Sequence, residues 1–131
     1  FIRNRNFKMH INFFSKFKNY FIIPEIMKEI KTNFLAYPII IKENKIFKRK
    51  KLQIYLEKNK IQTRPIFSGN ILRHPAFSKL ENNRNKISSF KNADYIMKNG
   101  ILIGCHQGLS INNISYIHKV ILNFINKYKQ N

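Results

Sequence analysis

Three short runs rich in β-branched and aromatic residues restrict what this 131-residue chain can fold into. They occupy residues 34–42, 61–67 and 101–106, and side chains of this kind favour the extended backbone of a sheet. Pro38 lacks a backbone N–H, so the first run is predicted to lie at a sheet edge or to contain a bulge. The third run is short and continuously apolar, which indicates a central strand.

Segments with the periodicity of amphipathic helices lie before, between and after these runs. Residues 6–20, 48–59 and 110–128 are predicted to be helical, with Ser110 as the cap of the last helix. The predicted buried stripe of that helix is Ile114, Ile117, Ile121, Phe124, Ile125 and Tyr128. Residues 21–24 are predicted to be a connector, and residues 25–31 fit either one amphipathic turn or a loop.

The segment between the second and third runs is predicted to be a polar loop followed by a short helix. Residues 78–91 are polar and are predicted to form a mobile loop. Asn92 is suited to cap a helix that runs to Lys98 and ends at Gly100. The resulting order predicts an α+β domain, in which helices pack on one face of a small, mostly antiparallel sheet.

The segment TRPIFSGNILRHPAF, residues 63–77, contains most of the candidate binding chemistry. Its extended start ends near Gly69, where a positive φ is easy. The polar side chains that follow are Asn70, Arg73 and His74. Guanidinium and amide groups suit an anionic, hydroxyl-rich ligand, and the alternative is an ordinary surface loop. His106, at the end of the third run, faces either a cleft or solvent.

The charge is the extreme feature of the composition, with 25 Lys+Arg against 6 Asp+Glu and a formal net charge of +19. Such a balance normally indicates nucleic acid or an anionic membrane as a partner. The lysines are scattered, however, and Lys, Asn, Ile and Phe are enriched together, as an A/T-biased genome would produce. A small basic module that binds RNA or an anionic surface is therefore the alternative function, and no specific nucleic acid partner is predicted.

Several classes of site and location are disfavoured by motifs that the sequence lacks. The four histidines and one cysteine do not have the spacing of a metal site or a disulfide framework, so no metal is predicted. No run approaches the ~20 apolar residues that span a bilayer, and a lone Cys105, predicted to be a buried thiol, is typical of a cytoplasmic protein. His118 is predicted to lie on the surface.

Two runs together, IQTRPIFSGNILRHPAF and NADYIMKNGILIGCHQGLS, are similar to the C-terminal portion of the DegT/DnrJ/StrS family. Its members are pyridoxal-phosphate-dependent nucleotide-sugar aminotransferases and dehydratases, and the ketodeoxyhexose 3-dehydratase branch has a similar TR-x-x-F-x-GN run. The resemblance implies the small C-terminal domain of a fold-type I enzyme. Residues 1–20 would end the interdomain helix, and residues 21–131 would form the small domain of a fragment whose N-terminal large domain is missing.

The resemblance also implies a set of substrate-binding residues. Arg64 lies in the matching TR and Asn70 in the matching GN, with Arg73 and His74 beside them and His106 as an outside candidate. His74 stands where family members often have Gln. The pyridoxal 5'-phosphate contacts, and the lysine or histidine that acts on the cofactor, belong to the missing domain, so this chain is expected to be inactive alone.

The parent enzyme that the resemblance implies is a cytoplasmic homodimer. It would act on a nucleotide-linked keto-deoxy sugar in lipopolysaccharide or O-antigen biosynthesis. Aminotransferase and dehydratase chemistry both remain open, because the deciding residue lies outside the chain.

Overall fold

Four short strands pair into one antiparallel sheet within residues 1–77 and 89–129, the residues that this computed structural model describes. The strands are β1 (Phe21–Ile22), β2 (Ala36–Ile41), β3 (Thr63–Pro65) and β4 (Gly100–Gly104), in the order β1-β2-β4-β3. The three predicted strands therefore share one sheet, and β4 is central as predicted. Most of the loop predicted at residues 78–91 lies outside the described residues.

Two prolines explain why β1 contains only two residues. The N–H of Lys42 donates to the carbonyl of Tyr20 at 2.8 Å, which makes these residues a hydrogen-bonded pair. Such pairs recur at every second position of an antiparallel ladder. In the observed register the second recurrence would join Pro24 to Pro38, and neither has an N–H to donate. Pairing stops before that point, so the first half of β2 lies at an edge, as Pro38 predicted.

The described helices are α1 (Ile2–Phe14), α2 (Arg49–Lys58), α3 (Lys91–Asn99) and α4 (Ile111–Lys129). The prediction of α1 at residues 6–20 was wrong at both ends. A short 3₁₀ turn, Ser15–Phe17, follows α1, and the chain then reverses so that Phe21 is buried in β1.

The start of α3 differs from the prediction, and the structure decides the conformation of residues 25–31. Asn92 does not cap α3, because the helix begins one residue earlier, with Phe90 in the cap position and no side-chain cap. Gly100 ends α3 as predicted, in an extended conformation that begins β4. Residues 25–31 form a loop with one turn, in which the N–H of Ile30 donates to the carbonyl of Met27 at 3.2 Å.

Ser110 caps α4 as predicted, and it does so reciprocally with Asn113. The N–H of Asn113 donates to Ser110 Oγ at 3.2 Å, and Asn113 Oδ1 accepts from the N–H of Ser110 at 2.9 Å. Asn113 thus supplies the acceptor that Glu or Gln usually supplies in a capping box.

The core lies between the sheet and helices α1, α2 and α4. Side chains in β2 alternate, with Tyr37, Ile39 and Ile41 buried and their neighbours only half-buried. The predicted stripe of α4 is buried except for Tyr128, which is half-buried, and Val120 joins it. Cys105 is fully buried, as predicted. The alternation leaves the opposite face of the sheet with a row of small or apolar side chains.

Candidate functional site

Arg64 lies on the sheet face that points away from the core. Thr63 is buried and Arg64 is exposed, as alternation along β3 requires. The register places Arg64 opposite Leu102 in β4, and Leu102 opposite Pro38 in β2. Within the described residues the guanidinium of Arg64 makes no hydrogen bond or ion pair. Among the described residues the guanidinium of Arg64 is therefore an unpaired cation, and it lies at the end of a half-buried apolar row formed by Leu102 and Pro38.

The chain turns sharply at Gly69 where it meets α3. Gly69 has a φ of +61°, and a Cβ there would lie 2.5 Å from Met97 Cβ. Glycine satisfies both the backbone conformation and the close approach. Phe67 also has a positive φ, 43°, and the residue is 80% exposed. The predicted turn is confirmed, and it brings the polar residues that follow against α3.

Asp94 of α3 binds two of the predicted site residues. Asn70 is only 2% exposed, and its Nδ2 donates to Asp94 Oδ1 at 2.7 Å while its Oδ1 accepts from the N–H of Leu72 at 3.1 Å. Arg73 donates to both carboxylate oxygens, from Nε to Oδ1 and from Nη2 to Oδ2 at 2.6 Å. The hydrogen bonds from Arg73 and then from Asn70 lower the pKa of Asp94 to about 2. We call Asn70, Arg73 and Asp94 the Asp94 cluster.

The remaining two candidates are histidines at different places. His74 Nε2 lies 2.7 Å from the carbonyl oxygen of Ser68, and since a carbonyl only accepts, Nε2 donates. His106 is exposed, accepts from the N–H of Gly108 through Nδ1 at 3.2 Å, and lines a cleft of about 260 Å³ beside Tyr116. The structure therefore groups Asn70, Arg73 and His74 on one segment and leaves His106 elsewhere.

Two histidines far apart in the sequence, His10 and His118, are hydrogen-bonded to each other in the structure. His10 Nε2 lies 3.1 Å from the carbonyl oxygen of Gly104, so Nε2 donates and Nδ1 accepts. That Nδ1 lies 3.0 Å from His118 Nε2, which must be the donor. His118 is half-buried with its ring stacked 4.2 Å from that of Phe13, so the prediction of a surface position was wrong.

The position of His10 in α1 could have indicated burial. It stands three residues after Phe7 and four before Phe14, both buried, on one face of the helix. The position of His118 in α4 carried a similar signal, because it stands four residues after Ile114 and three before Ile121, both fully buried.

The part of the chain that the structure describes does not fit a covalently held carbonyl cofactor. Every lysine there is exposed, whereas a Schiff-base lysine is activated by an enclosed, desolvated site. The same residues contain no group of three or more His, Cys, Asp or Glu side chains that could hold a metal ion. None of their helices has the length and apolar character needed to cross a bilayer.

This chain is similar to a family model, to a protein of known sequence and to a solved structure. A model of the DegT/DnrJ/EryC1/StrS aminotransferase family matches residues 2–122. Lipopolysaccharide biosynthesis protein RfbH of Salmonella typhimurium is 30% identical over 95 residues, which are 72% of this chain and 21% of that protein. E. coli GDP-4-keto-6-deoxy-D-mannose-3-dehydratase, solved with bound hydrated PLP, aligns at 27% identity with a TM-score of 0.66, over 91% of this chain and 30% of that one.

More distant structures share the fold. An aminotransferase from Psychrobacter cryohalolentis aligns with a TM-score of 0.72 at 10% identity, over 98% of this chain and 34% of that one. Across these three proteins the chain thus spans between 21% and 34% of the relative's length. The comparisons give no support to the alternative of a basic module that binds RNA or an anionic surface.

Proposed function

Because the chain belongs to the DegT/DnrJ/EryC1/StrS aminotransferase family, we propose that it is the C-terminal small domain of a pyridoxal-phosphate-dependent enzyme of nucleotide-sugar metabolism. Membership confirms the resemblance drawn from the sequence. The observation that carries the proposal is the alignment of 91% of the chain with one part of a 3-dehydratase. In the proposed enzyme, residues 1–20 end the interdomain helix and residues 21–131 form the small domain.

The proposed reaction is the 3-dehydration of a nucleotide-linked keto-deoxy sugar during lipopolysaccharide biosynthesis in the cytoplasm. Identity is 27% to the E. coli 3-dehydratase and 10% to the Psychrobacter aminotransferase, which favours the dehydratase branch. The cofactor would supply an electron sink from the other domain of a homodimeric enzyme. Since the described lysines are all exposed, the residue that acts on the cofactor is proposed to lie outside this chain, which is inactive alone.

Arg64 is the proposed anion-binding residue of this domain. Its guanidinium is exposed and has no partner among the described residues, so it would not give up another bond to bind substrate. A planar fork of donors matches a phosphate or carboxylate with two parallel hydrogen bonds. The half-buried apolar row beside it would exclude water from one side of that contact.

Asn70, Arg73 and His74 are proposed to act together with Arg64. Asn70 is buried and both of its amide atoms are bonded, so it would act by holding the segment in place. Arg73 remains 45% exposed and could contact a sugar oxygen through Nη1. His74 would present its ring beside it, and His106 is a further candidate through the cleft that it lines.

A hybrid enzyme tests the proposal. The 131 residues would replace the aligned C-terminal part of the E. coli 3-dehydratase, and cofactor absorbance and turnover of its keto-deoxy sugar nucleotide would be measured. We expect a soluble hybrid that binds the cofactor and turns the substrate over. A soluble hybrid with bound cofactor and no turnover would contradict the proposed function.

Variants of Arg64 in that hybrid test the site. Arg64→Lys keeps the charge and loses the fork, so kcat/KM should fall roughly ten- to a hundredfold, the equivalent of a charge-assisted hydrogen bond of about 1.5–3 kcal/mol. Cofactor absorbance should not change. Lys58→Gln, an exposed cation at the end of α2, is the matched control and should leave kcat/KM unaltered. Equal activity of Arg64→Lys and the control would remove Arg64 from the site.

A further inference from the structure

The carboxylate of Asp94 determines which side of the Arg73 guanidinium remains open to a ligand. Nε and Nη2 of Arg73 donate to Oδ1 and Oδ2 of Asp94 as a bidentate pair. The five N–H donors of a guanidinium lie in one rigid plane, and this pairing uses one donor on each of those two nitrogens. Nη1 has no acceptor among the described residues, and the Arg73 side chain is 45% exposed. Arg73 therefore offers a ligand the Nη1 side of a guanidinium whose other side is fixed.

Asp94 is itself held in place from two directions. Asn70, which is only 2% exposed, donates from Nδ2 to Asp94 Oδ1 at 2.7 Å. The next residue of α3, Tyr95, ties the helix to the end of β2, because its hydroxyl donates to the carbonyl of Ile41 at 3.3 Å and accepts from the N–H of Glu43 at 3.1 Å. A carboxylate supported in this way by a packed helix and a buried amide can hold its partner in one orientation.

The pairing also changes the charge that Arg73 presents to a ligand. The hydrogen bonds from Arg73 and then from Asn70 lower the pKa of Asp94 to about 2, so the carboxylate is ionised at neutral pH. The two opposite charges largely cancel at a distance, and an anion that approached Nη1 would be repelled by the Asp94 carboxylate. Arg64, in contrast, forms no ion pair among the described residues. Arg64 therefore suits an anion, and Arg73 suits a neutral oxygen.

We propose that Asp94 is a positioning residue that directs Arg73 to a neutral oxygen of the sugar and away from the phosphates. The inference rests on the proposed function, in which the substrate is a nucleotide-linked keto-deoxy sugar. Hydroxyl and carbonyl oxygens of such a sugar accept hydrogen bonds without carrying a charge. Arg64 remains the residue for the anionic group, so the two arginines of this domain would recognise chemically different parts of one substrate.

A double-mutant cycle in the hybrid enzyme tests this role. Arg73→Gln removes the donor and Asp94→Asn removes the carboxylate that orients it, so each should lower kcat/KM about tenfold, as the loss of one hydrogen bond would. The double variant should lose no more than about twofold beyond either single variant, because both residues act through one contact. Additive losses would show that Asp94 stabilises the fold or the start of α3 independently of Arg73, and would overturn the proposal.

Inhibition by GDP separates a contact with the sugar from a contact with the phosphates. GDP has the phosphates of the nucleotide sugar that names the E. coli enzyme, and it lacks the keto-deoxy sugar. The inhibition constant of GDP should stay within about twofold of the unmutated hybrid in Arg73→Gln, although kcat/KM falls about tenfold. An inhibition constant that weakens in proportion to kcat/KM would place Arg73 on the phosphates and overturn the proposal.

Glu43→Gln is the matched control for Asp94→Asn. It removes one negative charge from the other described ion pair, which joins Glu43 to Lys98 outside the Asp94 cluster. Cofactor absorbance, kcat/KM and inhibition by GDP should all stay unaltered in this variant. A fall in kcat/KM as large as that of Asp94→Asn would reduce the effect to the overall charge of the domain and overturn the proposal.

The cycle remains decisive if one variant does not fold. Arg73 is 45% exposed, so Arg73→Gln should fold. If Asp94→Asn does not, Asp94→Glu takes its place, because it keeps the negative charge in the first turn of α3 while its longer side chain displaces the guanidinium. A hybrid without turnover would remove the proposed function and this inference with it, whereas an active hybrid with additive losses would remove this inference alone.

Discussion

A proton added to His10 goes to Nδ1, the atom that accepts from His118 Nε2. Two donors would then face each other inside the contact between α1 and α4. The pKa of each histidine is lowered to about 4, mainly by burial, and for His118 the nearby His10 and Lys16 contribute to that lowering. Both histidines are therefore neutral in the folded state, and their protonation at acidic pH should break the hydrogen bond between them.

The free energy of unfolding should fall as pH drops from 6.5, the ordinary histidine value, to about 4. The unfolded chain binds more protons than the folded one in that window, so each histidine contributes a slope of up to about 1.4 kcal/mol per pH unit. Urea unfolding at several pH values measures it. His118→Gln should roughly halve the slope, and exposed His106→Gln should not; an unchanged slope in His118→Gln would refute the assignment.

Tyr37 offers a stabilising substitution. Its hydroxyl is buried without a partner among the described residues, and this burial raises its pKa. Tyr37→Phe keeps the ring stacked on Phe14 and removes the unpaired hydroxyl, so we expect a gain of about 1 kcal/mol in urea unfolding. Tyr95→Phe is the contrasting variant, because that hydroxyl donates to the carbonyl of Ile41 and accepts from the N–H of Glu43. Loss of stability in both variants would contradict the argument.

The sequence indicated Asn70 and Arg73 but not the carboxylate that binds them. Gly69, Asn70 and Arg73 stand out because they interrupt an apolar segment, and that signal is local. Asp94 lies 21 residues after Arg73 and 24 after Asn70, in the first turn of α3, where an acidic residue is explained by the helix alone. Contacts at such separations depend on how α3 packs, which no local pattern specifies.

Elements were predicted well where several turns or alternations repeat, and poorly where one contact decides. The long periodic pattern of apolar residues in α4 predicted both the helix and its buried face. The apolar run in β4 predicted the central strand. β1 was missed because two residues are too few to show alternation. Its existence depends on the reversal after α1, which also shortened that helix.

Gly69→Ala should separate the 66–77 segment from α3. The substitution adds the strain of a left-handed backbone, roughly 1–2 kcal/mol, to a contact of 2.5 Å with Met97 Cβ that forces a shift. We expect a loss of at least about 2 kcal/mol in urea unfolding. Gly108→Ala is the matched control, since its Cβ would approach only the His106 ring, at 3.2 Å. A similar small loss in both variants would show that the turn tolerates a side chain.

At the scale of the whole molecule, charge repulsion opposes compaction. The chain carries a formal net charge of +19, and the described residues contain two ion pairs, Arg73 with Asp94 and Lys98 with Glu43. Salt shortens the reach of the repulsion from about 30 Å at 0.01 M to about 8 Å at 0.15 M. Raising sodium chloride over that range should increase Tm by a few degrees. A fall in Tm would mean that attractive pairs outweigh the repulsion.

The end of pairing between β1 and β2, before Pro38, has a consequence for self-association of the protein. An edge strand with free N–H groups is a template on which another chain can add a strand and begin a fibril. Here the donor that β2 would offer at its open edge is replaced by a pyrrolidine ring, and the rest of that edge is short. Pro38 thus serves as a gatekeeper, and Pro38→Ala should lengthen the template and promote aggregation even where the fold itself is unharmed.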